Sequence, residues 1–373
     1  MEFTNRKWQN HLKAKGLVAF LLDRVSAHAR SSQWQHKNGS FHFPIADREV
    51  DDALSRAYFE LNENFPTEVY VEVTSRCNLD CLMCARSRLS RATGDMDMAL
   101  FKKIMDEIAL EYREAYVHFY GIGDPLMDET IFEKLAYAKQ VGLNNTIIFT
   151  NGQNLLKNDN YKKLVLSNVP ILGVDVDGFT RESYEKIRRG GSFELLLKSI
   201  LTLKQHLDES PTYKRLELAY QVYPGINDAA GEMQDFASWC EKYTLEYKFV
   251  TLHTWGDLRA DVPMSSVAGM AEPNDRSVQR TGPCCSLWSP MILNDGRVSP
   301  CFLDANGNGA LGDMNKSSLK SIWQGAHRAL RAKQVQGVFS GTCQDCASGS
   351  CVDLPPFRSS NYPPVLRDNP EQP

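Results

Sequence analysis

The sequence predicts an α/β fold in which parallel strands alternate with helices, followed by a small cysteine-rich α+β domain. Between residues 65 and 255, short runs of β-branched and aromatic residues alternate with segments of helical periodicity, as in βαβ units. The runs are VYVEV (69–73), AYVHFY (115–120), NTIIFT (145–150), ILGVDV (171–176), LELAYQVY (216–223) and YKFVTLH (247–253). Six strand–helix units are fewer than the eight of a closed TIM barrel, so we predict a partial (β/α)6 TIM-like barrel.

The chain of 373 residues divides into five parts by its local composition. Residues 1–64 are predicted to be a largely helical N-terminal extension, and residues 65–255 form the barrel. Residues 256–282 are polar and rich in small residues, which is typical of a linker or lid. Residues 283–355 form the cysteine-rich domain, and residues 356–373 are a proline-rich tail that we expect to be extended.

Composition and charge restrict the class of protein. A net charge of −4 gives no general electrostatic reason to bind nucleic acid. No apolar run approaches the ~20 residues that span a bilayer, so we expect no membrane protein. The run GLVAFLL near the N-terminus has no cleavage site after it and does not indicate a signal peptide. The ten cysteines are therefore expected to be metal ligands or reduced thiols of a cytoplasmic protein.

Three of the cysteines lie together in SRCNLDCLMCAR (75–86), directly after the first predicted strand. Functional groups of parallel sheets gather at this carboxyl end of the strands. A structural zinc site needs four ligands, and the loop offers only the thiols of Cys77, Cys81 and Cys84. Closely spaced thiolates on one loop can instead each bind a different iron of a [4Fe–4S] cluster. One iron then stays open to a ligand, which indicates chemistry rather than a structural role.

The spacing Cys-x3-Cys-x2-Cys after a first strand resembles the signature of radical S-adenosylmethionine (radical SAM) enzymes. Three further segments resemble this family in the same order: YGIGDPL (120–126), FTNGQNL (149–155) and VDVDGFTRESYEKIRRGGSFE (174–194). The resemblance implies that the open iron binds the amino and carboxylate groups of SAM. It also implies reductive cleavage of SAM to a 5′-deoxyadenosyl radical that abstracts a substrate hydrogen, with a flavodoxin- or ferredoxin-type electron donor.

The same resemblance assigns a set of SAM-binding residues. Asp124 stands where the family usually has glutamate, and Asp175 replaces its usual serine. Arg188 is interpreted as a contact to a carboxylate or to the substrate, with an exposed helical arginine as the alternative. The predicted SAM-binding residues are Met83, Gly121, Gly123, Asp124, Asn151, Asp175, Asp177 and Arg188.

A second group of cysteines supplies four thiols from three places in the C-terminal domain. On spacing alone, zinc and an iron–sulfur cluster fit these thiols equally well. The run NDGRV (294–298) predicts a hairpin that brings the first two places together. The predicted ligands are Cys284 or Cys285, then Cys301, Cys343 and Cys346, with Cys351 as a spare or alternative ligand.

The order of motifs in this domain resembles the SPASM/Twitch extension of radical SAM enzymes. GRVSPC (296–301) is followed by LGDM, by SLKSIW and by CQDC (343–346). The resemblance implies one auxiliary [4Fe–4S] cluster, since a full pair of auxiliary clusters needs more cysteines than this domain has. It also favours Cys284 over Cys285 as a ligand, because Cys284 fits the family's Cys-x2-Leu-Trp form better.

Three isolated residues carry further interpretations. Cys240 lies in a predicted helix and is either a hydrogen donor, as in some radical SAM epimerases, or a small buried residue. His253 ends the sixth run and is interpreted as a substrate contact or a structural residue. His118 lies in the middle of a strand and is interpreted as a core residue.

These observations support one leading hypothesis and two alternatives. The leading hypothesis is a radical SAM dehydrogenase, epimerase or decarboxylase of a small molecule such as a sugar, an aminocyclitol or a nucleotide-linked compound. The first alternative is a maturase of a ribosomally made peptide or protein, and residues 1–64 show no separate leader-binding domain that would favour it. The second alternative, from another class, is a non-catalytic binding protein whose cysteines hold zinc.

Overall fold

A computed structural model gives the structure of most of the barrel and of the C-terminal domain. The described residues are 36–37, 40–41, 62–251 apart from 168, 213 and 224, and 284–344. The predicted linker and tail, and nearly all of the predicted N-terminal extension, lie outside these residues.

Six parallel strands form the centre of the molecule. The strands in chain order are β1 (His36–Lys37), β2 (Ser40–Phe41), β3 (Glu68–Val71), β4 (Tyr116–Phe119), β5 (Thr146–Thr150), β6 (Ile171–Asp175), β7 (Arg215–Val222), β8 (Glu246–Thr251), β9 (Met291–Ile292), β10 (Arg297–Ser299) and β11 (Gly312–Asp313). Strands β3 to β8 pair in chain order and all in parallel. This arrangement confirms the six predicted strands and the α/β fold of a partial TIM-like barrel. The two-residue strands β1 and β2 form a separate antiparallel pair.

Six helices lie between the parallel strands in sequence, and two more follow β11 in the C-terminal domain. They are α1 (Met98–Glu111), α2 (Ile131–Gln140), α3 (Asn160–Leu166), α4 (Arg181–Ile187), α5 (Phe193–Asp208), α6 (Ala230–Lys242), α7 (Leu319–Ile322) and α8 (Arg328–Val335), with a π-helical turn at Trp323–His327. Polar residues begin several of them: the Asp97 carboxylate accepts the first amides of α1, and Ser192 caps α5 in the same way. None of the described helices is both long enough and apolar enough to cross a membrane.

The strands have two buried faces, and their alternation decides which residues reach the site. On β3, Val69 and Val71 are completely buried and pack against the helical layer. Tyr70 lies between them in sequence and points to the opposite side, into the concave interior of the sheet. The interior-facing positions of all six strands therefore surround a common lumen.

The C-terminal domain continues the sheet of the barrel. Strand β9 pairs in parallel with β3, placing Tyr70 opposite Met291, and β10 and β11 follow as antiparallel neighbours. The predicted hairpin at 294–298 connects β9 to β10. The indole of Trp323 also donates a 2.7 Å hydrogen bond to the carbonyl of Asn62. The predicted division into domains stays a prediction, and hydrogen bonds join the two parts along the edge of β3.

Candidate functional site

The loop that follows β3 brings three thiols to a cavity inside the sheet. Cys77, Cys81 and Cys84 are half-buried, and all three line this cavity. A turn closed by a 3.1 Å bond from the Cys84 amide to the Cys81 carbonyl sets the spacing of the last two. The amide of Leu82 donates to the carbonyl of Ile187 at 2.8 Å, which fastens the loop to the end of α4.

The thiol chemistry fits a cluster better than a single metal ion. Burial raises the pKa of Cys77, and it raises the pKa of Cys81 to about 11 and that of Cys84 to about 12. Metal binding must therefore displace protons from these thiols. Within the described ranges, no three His, Cys, Asp or Glu side chains converge closely enough to hold one ion. Three thiols on one loop supply one ligand for each of three irons of a [4Fe–4S] cluster.

The glycine-rich loop after β4 lies directly against the cysteine loop. A side chain at Gly123 would overlap the backbone of Thr74 and Arg76, so the close approach requires glycine. The amide of Asp124 donates a 2.9 Å hydrogen bond to the carbonyl of Arg76. These contacts fix the predicted SAM-binding loop relative to the predicted cluster ligands.

The carboxylate of Asp124 joins the loops after β4 and β5. It is buried and accepts hydrogen bonds from the hydroxyl of Thr150 (2.8 Å) and the amides of Asn151 (2.8 Å) and Leu126 (2.9 Å). Burial raises the pKa of this carboxyl group. The side-chain amide nitrogen of Asn151 lies 3.7 Å from the sulfur of Cys77. Asp124 thus holds Asn151 beside the cysteine loop.

Arg188 is a buried cation at the end of α4. Its guanidinium lies 2.5 Å from Asp177, 3.1 Å from Asp175 and 3.8 Å from the sulfur of Cys81. Only 8% of Arg188 is exposed, so its interpretation as an exposed helical arginine is wrong. Burial raises the pKa of Asp177 to about 6, against the opposing effect of Arg188. The pair of aspartates positions the guanidinium next to the predicted cluster.

All the predicted SAM-binding residues line one cavity of about 300 Å³, together with the three thiols. Met83 forms part of its wall, where it packs with Ile187 and Tyr223. The residues in question are Met83, Gly121, Gly123, Asp124, Asn151, Asp175, Asp177 and Arg188. The structure thus brings together segments that are far apart in sequence, and their assignment to SAM stays a prediction.

The cavity extends from these residues into the lumen of the barrel. Aromatic rings of Tyr70, Tyr120, Phe149 and Phe302 line this deeper part. Lys248 contributes a cation that lies 5.3 Å above the ring of Phe149. Phe302 follows Cys301 in sequence, so the segment that carries a predicted auxiliary ligand also forms part of the wall.

His118 lines the lumen as well, although the sequence suggested a core residue. Its Nε2 lies 2.6 Å from the carboxylate of Glu68, and its ring stacks on Tyr70 at 4.4 Å. The hydroxyl of Ser289 donates to the same carboxylate at 2.7 Å. Burial acts to raise the pKa of Glu68, but His118 and Ser289 outweigh it and hold this pKa below its ordinary value. The alternation of β4, which puts 118 on the same face as Tyr120, was the signal for this position.

The two predicted catalytic residues have different outcomes. Cys240 is completely buried in α6, within the hydrophobic core, and burial raises the pKa of its thiol to about 12. It is not among the residues that line the cavity, and its surroundings match the alternative of a small buried residue. His253 lies outside the described residues.

The predicted auxiliary ligands are only partly described. Cys284, Cys301 and Cys343 are half-buried, whereas Cys346 and Cys351 lie outside the described residues. The amide of Cys284 donates a 3.1 Å hydrogen bond to the side-chain oxygen of Gln334, which lies on α8. This hydrogen bond fixes the backbone of Cys284 relative to α8.

Family models match both parts of the chain. Residues 71–237 match the radical SAM superfamily, and residues 284–347 match SPASM, an iron–sulfur cluster-binding domain. The chain belongs to the radical SAM superfamily and carries a C-terminal SPASM domain. Its cofactors are SAM, the [4Fe–4S] cluster of the radical SAM core and auxiliary iron–sulfur clusters in the SPASM domain.

Curated relatives match parts of the chain. A tungsten-containing aldehyde ferredoxin oxidoreductase cofactor-modifying protein of Pyrococcus furiosus is 35% identical over 31% of this chain and 30% of its own length. A GTP 3′,8-cyclase of Limosilactobacillus fermentum is 25% identical over 52% and 56%. An AdoMet-dependent heme synthase of Methanosarcina barkeri is 31% identical over 38% and 40%. In each case the match covers less than two thirds of the relative.

Solved structures show the same fold at low sequence identity. Streptococcus suis SuiB bound to the precursor peptide SuiA gives a TM-score of 0.57 at 13% identity, over 94% of this chain and 89% of that one. BtrN in complex with AdoMet and 2-DOIA gives a TM-score of 0.50 at 18% identity, over 76% and 94%. At these sequence identities, both matches show a shared fold and nothing more.

Proposed function

We propose that this chain is a radical SAM dehydrogenase of a small polar molecule, such as a sugar, an aminocyclitol or a nucleotide-linked compound. The observation that carries the proposal is one cavity with three chemically distinct parts. It is lined by the three-cysteine loop, by the predicted SAM-binding residues and, in the lumen, by His118 backed by Glu68.

The cofactors and the chain have separate tasks in this reaction. When bound, the reduced cluster and SAM supply a 5′-deoxyadenosyl radical that takes a hydrogen atom, and the auxiliary cluster accepts one electron. Oxidation of a C–H bond beside a hydroxyl or amine also releases a proton. The chain must supply the group that takes this proton, and His118 is suited to it. The carboxylate of Glu68 orients the imidazole and pairs with the charge that the ring acquires.

The lumen suits a compact, hydroxyl-bearing substrate. Its aromatic walls offer flat apolar faces, and Lys248, which lines the cavity and pairs with Glu217 at 2.5 Å, offers a polar contact. Specific recognition in small-molecule sites comes from a few such polar groups on an apolar wall. BtrN, which shares this fold, was solved with AdoMet and 2-DOIA.

The position of Cys240 makes epimerisation the less favoured reaction. Epimerisation by this chemistry needs a donor that returns a hydrogen atom to the substrate from the opposite side. The thiol of Cys240 is in the helical layer and not at the cavity, so it is not placed to donate. Dehydrogenation needs a proton acceptor and an electron acceptor instead.

The electron acceptor in this proposal is a single auxiliary [4Fe–4S] cluster. Its proposed ligands are Cys284, Cys301, Cys343 and Cys346. Phe302, the residue after Cys301, is part of the lumen wall, which supports this role. A flavodoxin- or ferredoxin-type protein is the proposed reductant of the first cluster, in the reducing conditions of the cytoplasm.

Modification of a peptide is the second candidate. SuiB, which shares the fold over 94% of this chain, was solved with its precursor peptide. A peptide substrate would have to insert one of its side chains into the same lumen. Assays with small molecules and with peptides therefore separate the two candidates directly.

The first test is anaerobic reconstitution with iron and sulfide, reduction with dithionite, and chromatography of 5′-deoxyadenosine formed from SAM. We expect about eight iron atoms per chain for two cubane clusters. We also expect 5′-deoxyadenosine from the wild type and none from the variant with Cys77, Cys81 and Cys84 changed to alanine. Stoichiometric zinc, or full iron loading without 5′-deoxyadenosine, would contradict the proposal.

The second test separates hydrogen abstraction from proton transfer. A panel of sugars, aminocyclitols and nucleotide sugars is screened for stimulation of 5′-deoxyadenosine, with deuterated compounds to trace hydrogen transfer. For the compound found, His118→Gln should retain deuterium transfer into 5′-deoxyadenosine while the yield of oxidised product falls at least tenfold. His206→Gln, a histidine outside the cavity, is the control. Stimulation by peptides alone would favour the maturase.

A further inference from the structure

A buried carboxylate joins the glycine-rich loop to the C-terminal hairpin. Glu72 follows β3 and is 1% exposed. It forms an ion pair with Arg91 at 2.7 Å, and only 5% of that arginine side chain is exposed. Arg91 lies in the segment that directly follows the three-cysteine loop in sequence. The ion pair therefore connects this segment to the end of β3.

Two backbone amides from distant segments donate to the same carboxylate. The amide of Ile122, in the glycine-rich loop, donates at 3.2 Å. The amide of Asn294, in the hairpin between β9 and β10, donates at 3.3 Å. Both oxygens of Glu72 are therefore used as acceptors, and every neighbour they bond to is a donor.

Arg91 extends the connection into the segment that follows Cys301. Its guanidinium donates to the carbonyl of Ala305 at 2.6 Å and to the side-chain oxygen of Asn294. The side-chain nitrogen of Asn294 donates in turn to the carbonyl of Gly94 at 3.0 Å. Five segments thus share one set of charge-assisted hydrogen bonds.

The side chain of Glu72 packs directly against the predicted SAM-binding loop. A side-chain carbon added at Gly121 would lie 2.6 Å from the Cγ of Glu72, so the two are in direct contact without intervening space. Ile122 also packs with Ala305 and Cys84 in one small apolar cluster. The glycine-rich loop is therefore supported from behind by groups that belong to the C-terminal domain.

We propose that Glu72 and Arg91 are positioning residues that make the C-terminal hairpin a working part of the SAM site. The hairpin holds Glu72 through Asn294, and Glu72 holds the backbone of residues 121–124 in the conformation that binds SAM. Loss of the hairpin contacts should weaken SAM binding although Asn294 does not line the cavity. This inference rests on the proposed binding of SAM to residues 121–124.

The decisive variant is Asn294→Ala in the reconstituted, full-length protein. It removes the side-chain bonds through which the hairpin holds Arg91 and Gly94, keeps the backbone amide bond from residue 294 to Glu72, and leaves every cavity residue unchanged. We expect the dissociation constant of SAM, followed by the change in the EPR signal of the reduced cluster, to rise about tenfold. We also expect faster hydrogen exchange at the amide of Ile122. Iron content and the EPR signal without SAM should match the wild type, which distinguishes positioning from a loss of structure.

Asp295→Asn is the matched control in the same turn. Asp295 is exposed, and its carboxylate accepts hydrogen bonds from Arg297. It should change neither the affinity for SAM nor the exchange of Ile122.

Glu72→Gln tests the carboxylate itself and is expected to have the larger effect. A glutamine would turn an NH₂ donor toward groups that are themselves donors. If this variant fails to fold, Asn294→Ala still tests whether the hairpin positions the SAM-binding loop. Unchanged SAM affinity and unchanged Ile122 exchange in Asn294→Ala would overturn the inference. If the wild type itself does not bind SAM, the proposed function fails, and the exchange of Ile122 alone decides whether the hairpin positions the loop.

Discussion

Arg188 shows how a single residue connects the stability of the fold to the chemistry of the site. Its guanidinium is buried between Asp175 and Asp177 and reaches the sulfur of Cys81. A buried ion pair contributes little net stability, but removal of one partner leaves a charge without compensation. The same cation lies beside the predicted cluster, so its removal also changes the charge that surrounds the thiolates.

Arg188→Met should therefore destabilise the protein and impair cluster assembly together. We expect a loss of about 3–5 kcal/mol in the free energy of unfolding, because the two aspartates lose their counter-charge. Anaerobic chemical denaturation and iron analysis measure the two effects. Arg181→Met, an exposed position of the same helix paired with Glu194, should leave both nearly unchanged. Wild-type stability and iron content in Arg188→Met would contradict this account.

At the residue scale, the sequence predicted the local signals of the site and missed the long-range ones. The spacing of the three cysteines and the glycines of 121–124 are visible within a few residues. Glu72 and Asn294 are ordinary polar residues whose partners lie far away in sequence, and no local pattern distinguishes them. His118 was the intermediate case, since the period of its strand carried the information.

The glycine-rich loop is an element whose position depends on the absence of a side chain. Gly123→Ala would force a carbon into the backbone of Thr74 and Arg76. The loop must then move away from the cysteine loop, and we expect SAM affinity to fall at least tenfold while iron content is retained. The dissociation constant of SAM measures this.

Gly231→Ala provides the control for that variant. Gly231 lies in α6 with no atoms near an added carbon. Alanine favours the helix by about 0.5–1 kcal/mol over glycine, so this variant should be slightly more stable and should bind SAM normally. Equal SAM affinity in the two alanine variants would show that the close approach at Gly123 does not matter for binding.

Lys214, which directly precedes β7, connects this strand to the segment between α3 and β6. Its pKa is unusual for a lysine. The ammonium of Lys214 donates to the carbonyls of Ser167 and, at 3.0 Å, Val169. Burial, assisted by Lys139, lowers the pKa of Lys214 from 10.5 to about 8. The unfolded chain therefore binds more protons than the folded one between pH 8 and 10.5. The contribution of Lys214 to stability is lowest below pH 8 and increases as the pH rises through this window.

Lys214→Met should remove this pH dependence. The difference in free energy of unfolding between wild type and variant should increase from pH 8 to pH 10.5, as measured by chemical denaturation at several pH values. Groups common to both proteins cancel in the difference. Lys198→Met, at an exposed position of α5, controls for the removal of a lysine. A difference that is constant across this range would show that Lys214 is not buried as described.

The sequence predicted the longer strands and missed the shortest ones. The six strands of the barrel have four to eight residues and show clear alternation or continuous apolar runs. Strand β9 has two residues, too few for any period, and it pairs with β3 across more than two hundred positions of the chain. Its place in the sheet is determined by tertiary packing, which local propensity does not report.

On the scale of the whole molecule, the continuous sheet means that the two cluster-binding regions form one structure. The amides of Tyr70 and Glu72 donate to the carbonyls of Pro290 and Ile292, each at 2.9 Å. Without the C-terminal domain, β3 would become an exposed edge strand with unpaired amides, which favours aggregation. The SPASM domain therefore has a structural contribution that is separate from its cluster.

Two variants separate the structural contribution from that of the auxiliary cluster. Changing Cys284, Cys301, Cys343 and Cys346 to alanine removes the proposed auxiliary ligands and keeps every strand. This protein should retain about four iron atoms and normal SAM affinity, because β9 and Asn294 still support the barrel. A chain that ends at residue 283 should lose both, since β3 and Glu72 lose their partners. Iron analysis and SAM binding under anaerobic conditions measure the outcome. If the shortened chain kept its iron and bound SAM as the four-alanine variant does, the barrel would be independent of the sheet extension, and the coupling through Glu72 would have no consequence for the site.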